Sequence, residues 1–160
     1  MARGGGTKYK KRETQPDSIY KNVLVSKFIN RLMKDGKKTT AQRAVYGAFD
    51  LIKEQGLNPI EIFESAIDNV GPKHEVKAKR IGGAAYQVPQ EVRGERRVSL
   101  SIRWLLEAAN KRSNSENNNL SKKLAAELMD ASNNSGEAIR KRDIAHKMAE
   151  ANKAFAHFRW

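Results

Sequence analysis

Hydrophobic residues recur every three or four positions along most of the chain, which is the spacing typical of amphipathic α-helices. Glycine, proline and asparagine separate these stretches, as expected at helix ends. The pattern predicts six helices, with apolar positions running from Ile19 to Leu32, Ala41 to Ile52, Ile62 to Val70, Val98 to Ala109, Leu120 to Ala131 and Ile139 to Met148. The segment from Lys73 to Arg97 lacks this spacing. The sequence therefore indicates a mainly helical protein interrupted by one different element.

Two of the predicted helices begin with recognisable capping residues. Thr39 and Gln42 fit a T-x-x-Q capping box, in which each side chain satisfies a backbone amide of the first turn. Asn58 precedes Pro59, and Glu61 follows at the third helical position, which predicts an asparagine cap for the third helix. We expect both helices to start at these residues.

Residues 73–92 alternate between apolar and polar positions on either side of Gly82-Gly83. Alternation is typical of β-strands, and two consecutive glycines can form a tight hairpin turn. Pro89 cannot donate to a central ladder, but each strand of an isolated ribbon is an edge strand and tolerates it. The prediction is a two-stranded antiparallel β-ribbon in which Val76, Ala78, Tyr86 and Val88 alternate with Lys77, Lys79 and Gln87.

Positive charge is concentrated in three parts of the chain. The 160 residues carry a net charge of +13. Most of the excess lies in residues 1–12, 73–97 and 136–160. Residues 50–72, by contrast, contain five acidic residues and a single base, Lys53. This distribution is typical of a nucleic-acid binder, and we expect the acidic stretch to face away from the phosphates.

Three arginines, Arg93, Arg96 and Arg97, fall in the predicted first turn of the fourth helix. The helix dipole disfavours positive charge there by about 0.3–1 kcal/mol per residue. One explanation is a bound phosphate, which would meet the guanidinium groups and the helix amides together. The other is pairing with Glu91 and Glu95, although exposed ion pairs are weak. The sequence leaves both explanations open.

Length and composition favour a single domain. We expect residues 13–160 to form it, and the glycine-rich, basic residues 1–12 to be a flexible arm. The chain has no cysteine, and no apolar run approaches the roughly 18 residues of a membrane span. The composition therefore favours a soluble protein of a reducing compartment.

No motif favours an enzyme. His74, His146 and His157 lack the cysteine or the helical i,i+4 partner that would make a metal-binding face. The stretch Gly36-Lys37-Lys38-Thr39 is similar to the end of a phosphate-binding loop, but Arg31 occupies the position of the required earlier glycine. We predict no catalytic residue, no metal and no cofactor.

Aromatic residues near the basic segments could stack on bases or pack within the protein. For Tyr86 we favour packing at the root of the ribbon. Phe155 is spaced from Met148 as expected if both belong to the core. Trp160, at the end of the sequence, is a better candidate for contact with RNA or a neighbouring protein.

Four stretches of the sequence are similar to those of a known family. They are MKDGKKTTAQ (33–42), EVKAKRIGGAAYQVPQEVR (75–93), RWLLEAANKR (103–112) and MAEANKAFAHFRW (148–160). Through them the chain resembles the bacterial-type small-subunit ribosomal protein seven family over nearly its whole length. Two features depart from the family pattern: the polar loop at 113–119 is longer, and Gly94 stands where proline is common.

The resemblance implies a body of six helices with an extended β-ribbon between the third and fourth. It implies primary binding to the 3′ major domain of 16S ribosomal RNA and nucleation of head assembly. It also implies that the ribbon lies near the exit-site transfer RNA and the messenger RNA path, with head and platform proteins as neighbours. The family resemblance further implies location on the cytoplasmic ribosome, with no membrane partner and no homo-oligomer.

Carried over position by position, the resemblance supplies candidate contacts with ribosomal RNA. They are Arg3, Lys8, Lys10, Lys11, Arg12, Lys34, Lys37, Lys38, Lys77, Lys79, Arg80, Arg93, Arg96, Arg97 and Arg103. Tyr86 and Trp160 are candidates for stacking or for contact with transfer RNA or protein. An architectural DNA-binding protein with a basic β-arm is the alternative. Such arms carry an apolar wedge at the tip, where this sequence offers only Ile81.

Overall fold

The helices and the ribbon occur in the order that the apolar pattern predicts. The computed structural model describes residues 13–158. Its elements, in chain order, are α1 (Val23–Leu32), α2 (Lys38–Glu54), α3 (Pro59–Val70), β1 (His74–Ile81), β2 (Ala84–Glu91), α4 (Gly94–Lys111), α5 (Leu120–Ser132), α6 (Glu137–Ala151) and a 3₁₀ helix (Lys153–Phe158). The expectation of a mainly helical fold with a two-stranded antiparallel ribbon between the third and fourth helices is confirmed.

Helix α5 lies at the centre of the body and packs against α2, α3 and α4. Buried phenylalanines join the first three helices beside it. The ring of Phe63 meets that of Phe28 edge-on with centroids 5.3 Å apart, and that of Phe49 at 5.6 Å. Gly47 faces Ser121 of α5, whose Oγ would lie 2.9 Å from an added Cβ, so glycine permits the close approach of α2 and α5. The core thus forms between helices and excludes the ribbon.

Helix α1 begins later than the spacing from Ile19 predicts. The side chain of Asp17 accepts hydrogen bonds from the backbone amides of Ile19 and Tyr20, which holds these residues in a turn. Lys21 then adopts a left-handed φ of 49°, and Asn22 caps α1. Ile19 is consequently 61% exposed and is not part of the core, so its predicted place on the apolar face is wrong.

The two predicted helix caps have different outcomes. Asn58 accepts a hydrogen bond from the amide of Ile60 and donates one to Glu61, which confirms the cap of α3. Helix α2 instead starts two residues earlier than the capping box predicts, with Lys37 in place of Thr39 at the N-cap position and no side-chain cap. Thr39 therefore lies inside the first turn, and the predicted capping box is not formed.

The strands of the ribbon pair residue for residue around a glycine turn. Gly82 and Gly83 have φ values of 56° and 91°, which the two-residue turn requires and glycine adopts without strain. Lys79 pairs with Tyr86 in this register. Because directly opposite residues share a face of the sheet, that lysine and tyrosine lie on one side, as do Lys77 and Val88. The apolar residues therefore do not form a single face separate from the lysines.

Helix α6 and the 3₁₀ helix cover the ribbon. Helix α6 packs against β1 and β2, and the 3₁₀ helix packs against β2. Ile139 is buried as predicted, but Met148 is 55% exposed, which contradicts its predicted inward position. Within the described part of the chain, no helix is long and apolar enough to cross a membrane.

Candidate nucleic-acid interface

The three predicted basic contacts of the ribbon do not share one environment. Lys77 and Arg80 are exposed, but they lie on opposite faces because their positions have different parity in the ladder. Lys79 is half-buried, and its Nζ donates to the carbonyl oxygen of Phe158 over 3.0 Å. Two of these cations are thus available on the ribbon surface, while the third also holds the 3₁₀ helix.

Tyr86 packs within an aromatic cluster. Its ring centroid lies 5.4 Å from that of Phe155 and 5.3 Å from that of Phe158, and all three side chains are half-buried. The packing interpretation of Tyr86 is therefore supported. Phe155 contacts the ribbon instead of the helical core, where the helical spacing had placed it.

At the start of α4, two of the three arginines have partners that the sequence did not suggest. Arg97 donates from Nε to the carbonyl of Gly71 over 3.1 Å and from Nη2 to that of Asp68 over 2.8 Å. Arg96 donates to Glu75 on β1 over 3.1 Å. The intramolecular alternative had named Glu91 and Glu95 instead, whereas these bonds of Arg96 and Arg97 run to Glu75 and to two carbonyl oxygens at the end of α3. Contacts within the chain account for both positive charges in this turn.

Arg93 and Arg103 occupy contrasting positions on the same helix. Arg93 is the N-cap residue of α4 and is exposed. Arg103 is half-buried, and its Nε is a buried donor without a hydrogen-bond partner among residues 13–158. Arg93 is therefore accessible to solvent, whereas only part of Arg103 is accessible.

The loop between α1 and α2 presents exposed lysines. Asp35 and Gly36 adopt φ values of 51° and 72°, which reverse the chain between the helices. The turn places Lys34, Lys37 and Lys38 at the surface, all exposed. These three lysines therefore lie close together at the surface before and at the start of α2, on either side of Asp35 and Gly36.

Sequence reasoning missed two arginines beside this loop. Arg31 in the last turn of α1 and Arg43 in the second turn of α2 are exposed and line a groove with Lys34 and Lys37. The sequence shows that both arginines lie within a few positions of the loop lysines. Only the packing of the helices reveals that the four cations border one concave surface.

The acidic residues of the middle of the chain are all exposed. They are Asp50, Glu54, Glu61, Glu64 and Asp68, on α2 and α3. On α2, Lys38 in the first turn and the acids of the last turns are separated by most of a 17-residue helix, about 26 Å long. Charge is therefore segregated along this helix.

Helix α6 holds the root of the ribbon through His146. The backbone amide of Lys73 donates to Nε2 of His146 over 2.9 Å. Burial, with the nearby charges of Arg142 and His74, lowers the pKa of His146 from its usual 6.5. The neutral imidazole is the form that can accept this bond. Arg142 also donates to the carbonyl of Asn69 over 2.8 Å, which ties α6 to α3.

Some of the predicted contacts belong to the two ends of the chain. Arg3, Lys8, Lys10, Lys11, Arg12 and Trp160 lie outside the described residues. Within residues 13–158, no group of three or more His, Cys, Asp or Glu side chains is arranged to hold a metal ion. The predicted basic contacts that fall within the described residues lie on the ribbon, in the first half of α4 and in the loop between α1 and α2.

Comparison with known proteins gives one consistent family. The model of ribosomal protein S7p/S5e matches residues 5–153. The small ribosomal subunit protein uS7 of Thermoanaerobacter pseudethanolicus is 56% identical over 151 residues, which cover 94% of this chain and 95% of that protein. The uS7 proteins of Desulfitobacterium hafniense and Methylorubrum populi are 57% and 54% identical, each over 94% of this chain and 95% of the relative. The chain therefore belongs to the ribosomal protein S7p/S5e family and is a structural, non-enzymatic protein of the small ribosomal subunit.

Proposed function

We propose that the protein is a primary binder of 16S ribosomal RNA that recognises the 3′ major domain and nucleates assembly of the subunit head. Family membership makes it a component of the cytoplasmic ribosome, with ribosomal RNA and other ribosomal proteins as partners. The choice of RNA domain rests on the resemblance of residues 33–42, 75–93, 103–112 and 148–160 to the family motifs.

The observation that carries the proposal is the segregation of exposed charge. Lys34, Lys37 and Lys38 are exposed at the start of α2, whereas Asp50 and Glu54 are exposed towards its end. A folded RNA brings many phosphates together, and a protein with a basic and an acidic end can bind it in one orientation. Binding through the basic end leaves the acidic end for solvent or for basic neighbours.

The mechanism is electrostatic neutralisation on a rigid frame. Exposed Lys77, Arg80 and Arg93 contact phosphates and release counterions. Arg97 and Glu75, with their partners on neighbouring elements, fix the ribbon and the start of α4 relative to the body. Specificity then comes from the shape of the RNA, since A-form grooves expose little sequence information to side chains.

The ribbon has a more specific role in this proposal. It lies near the exit-site transfer RNA and the messenger RNA path, and the neighbouring proteins belong to the head and platform. Its exposed glycine tip and the cation Arg80 suit approach to an RNA backbone. Tyr86 serves as a packing residue, whereas Trp160 remains a candidate contact. The protein acts as a monomer and has no membrane partner.

Nothing in residues 13–158 specifically favours an architectural DNA-binding role. A DNA-bending arm inserts an exposed apolar side chain between base steps. Ile81, the sole candidate near the tip, is half-buried, and the turn itself is Gly82-Gly83. The ribbon therefore lacks a projecting wedge.

Competition binding tests the proposal. A labelled transcript of the 16S 3′ major domain is bound to the full chain at physiological salt, and either the unlabelled transcript or a DNA duplex of equal charge is added. We expect the RNA to compete at concentrations at least about a hundredfold lower than the duplex, as a specific complex competes against non-specific binding. Equal competition, or preference for the duplex, would overturn the assignment.

A further inference from the structure

A groove of about 530 Å³ opens between the end of α1, the start of α2, the C-terminal part of α4 and the start of α5. We refer to it as the α2 groove. Four basic residues line it: Arg31, Lys34, Lys37 and Arg43. The volume is in the range of sites that hold small organic molecules.

The α2 groove has an apolar floor and a basic rim. Leu32, Met33 and Leu120 are half-buried and line the floor. The rim carries four cations, from Arg31 to Arg43, and the lining contains no acidic residue. An occupant that matches this surface has a flat or apolar part and at least one negative charge.

Two helix starts reinforce the positive character of the groove. Helices α2 and α5 both begin at its lining, and neither has a side-chain cap or an acidic residue in its first turn. Helices α1 and α3, by contrast, are capped by Asn22 and Asn58. Uncapped amides need an outside acceptor, and phosphate oxygens are good acceptors at helix N-termini. The amides add to a site that the cavity and the cations already define.

We propose that the α2 groove binds a single unstacked nucleotide of RNA. The base lies against the floor formed by Leu32, Met33 and Leu120, and the flanking phosphates meet Lys37, Arg43 and the amides of the two helix starts. Where a protein reads an individual base of RNA, it chiefly uses such a splayed-out base, because the edges of paired bases are poorly accessible in the A-form helix. This inference rests on the proposed function, since it names the RNA chemistry that one part of the interface receives.

The ε-methyl group of Met33 reports directly on the base. Selective methyl labelling of the full chain resolves Met33 from Met148, which is exposed on α6 and serves as the internal control. On addition of the 16S 3′ major domain transcript, a base stacked on the floor shifts the Met33 signal upfield by its ring current, while Met148 shifts less. RNA binding that leaves Met33 unmoved would overturn the groove assignment but leave the proposed function standing. A transcript that does not bind at all would overturn both.

Two further probes separate the occupants. Inorganic phosphate, added alone, should move the amides of Lys38 and Ser121 but not the Met33 methyl group. If the RNA likewise moves these amides but not the Met33 methyl group, the groove binds only the phosphate backbone. That result would overturn the proposal that a base enters it. A polyglutamate peptide that shifts Met33 as strongly as the RNA would assign the groove to an acidic protein segment and overturn the proposal.

A matched pair of variants tests the same site by affinity. Thr39 and Thr40 are both exposed in the first turn of α2, but only Thr40 lines the groove. An acid in the first turn of a helix favours the helix, so neither T39E nor T40E should unfold the protein. We expect T40E to weaken binding of the transcript about tenfold, since it sets a charge against the phosphates, and T39E to weaken it less than about threefold. Equal losses in the two variants would overturn the proposal.

Discussion

The guanidinium group of Arg97 donates to the carbonyl of Gly71 over 3.1 Å and so joins the start of α4 to the end of α3. A second donor of the same group reaches the carbonyl of Asp68 over 2.8 Å. The last carbonyls of a helix have no partners within it, and a cation suits the negative end of the helix dipole. Arg97, in the first turn of α4, therefore caps the C-terminal end of α3, although the ribbon separates the two helices in sequence.

The first prediction concerns the hydrogen bonds of Arg97 to the end of α3. Replacing Arg97 by Ala should lower the free energy of unfolding by about 1–3 kcal/mol, because two charge-assisted hydrogen bonds to carbonyl oxygens are lost. The exposed Arg93, in the same turn, is the matched control, and Arg93→Ala should change stability by less than about 0.5 kcal/mol. Urea denaturation of both variants measures the difference. Similar losses at the two positions would refute the role of Arg97.

The second prediction concerns a buried ion pair. Glu127 is 1% exposed, accepts from Nε of Arg112 over 2.7 Å and accepts from the amide of Ala138 over 3.1 Å. Arg112 also pairs with Asp130. Burial opposes the charge of Arg112, but the hydrogen bonds to Asp130 and Glu127 outweigh it, so the pKa of Arg112 is raised. Arg112→Ala should cost about 3–5 kcal/mol, because it leaves a buried carboxylate without its cation.

Arg140 provides the control for that variant. It pairs with Glu137 over 3.1 Å at the surface, where both side chains are more than half exposed. Such pairs contribute about 0–1 kcal/mol, so Arg140→Ala should leave thermal stability nearly unchanged. The two variants remove the same type of ion pair, and an equal loss would contradict the importance of burial.

The third prediction concerns pH. The pKa of His146 is lowered in the folded protein by burial first, and then by the charges of Arg142 and His74. A histidine with a lowered folded pKa contributes stability that is present above its ordinary value of 6.5 and is lost as the pH falls below it. Protonation also removes the acceptor for the amide of Lys73. Stability and protection of this amide should therefore both fall between pH 7.5 and pH 5.

Hydrogen exchange at Lys73, relative to its intrinsic rate at each pH, measures this loss. A His146→Gln variant retains an acceptor that does not titrate, so its protection should vary less with pH. His157→Gln is the control at an exposed histidine, and it should preserve the wild-type profile. A His146→Gln profile identical to that of the wild type would assign the effect to other groups.

The fourth prediction concerns the salt dependence of RNA binding. Lys77 and Arg80 are exposed on the ribbon, so replacing both by Ala should flatten the slope of log K against log salt by up to about 1.8. Adding Lys79→Ala should flatten the slope by less than about one further unit. This third substitution should also loosen the C-terminal 3₁₀ helix, because the hydrogen bond to the carbonyl of Phe158 is lost. Lys53→Ala, next to the acidic surface, is the control and should leave the slope unchanged. An unchanged slope in the ribbon variant would remove the ribbon from the RNA interface.

The sequence predicted the presence and order of the helices well because apolar spacing is a local signal. Apolar spacing identified α3 and α5, and the Asn58 cap set the start of α3. Prediction from the sequence failed where a residue outside the apolar pattern determined the start of a helix. Asp17 holds Ile19 in a turn and prevents it from joining α1, and helical spacing alone gives no sign of this.

For the candidate site, too, the sequence predicted local properties but not contacts between distant residues. The sequence located the basic segments, because charge and the family motifs are local properties. It could not decide which cations have partners in the chain, since Glu75 and Arg96 lie 21 positions apart and Lys79 and Phe158 lie 79 positions apart. Nor could it indicate that Arg31 and Arg43 border one groove, because four separate helices form that surface.

The sequence by itself determined the fold class, the presence of the ribbon, the polyanion as the class of partner and the family. These follow from periodicity, composition and motifs, which are read along the chain. The tertiary structure decided the register of the ribbon, the packing of Tyr86, the capping of α3 by Arg97 and the grouping of cations around the α2 groove. Each of these depends on contacts between residues that are far apart in sequence, and only the packing of the helices brings them together.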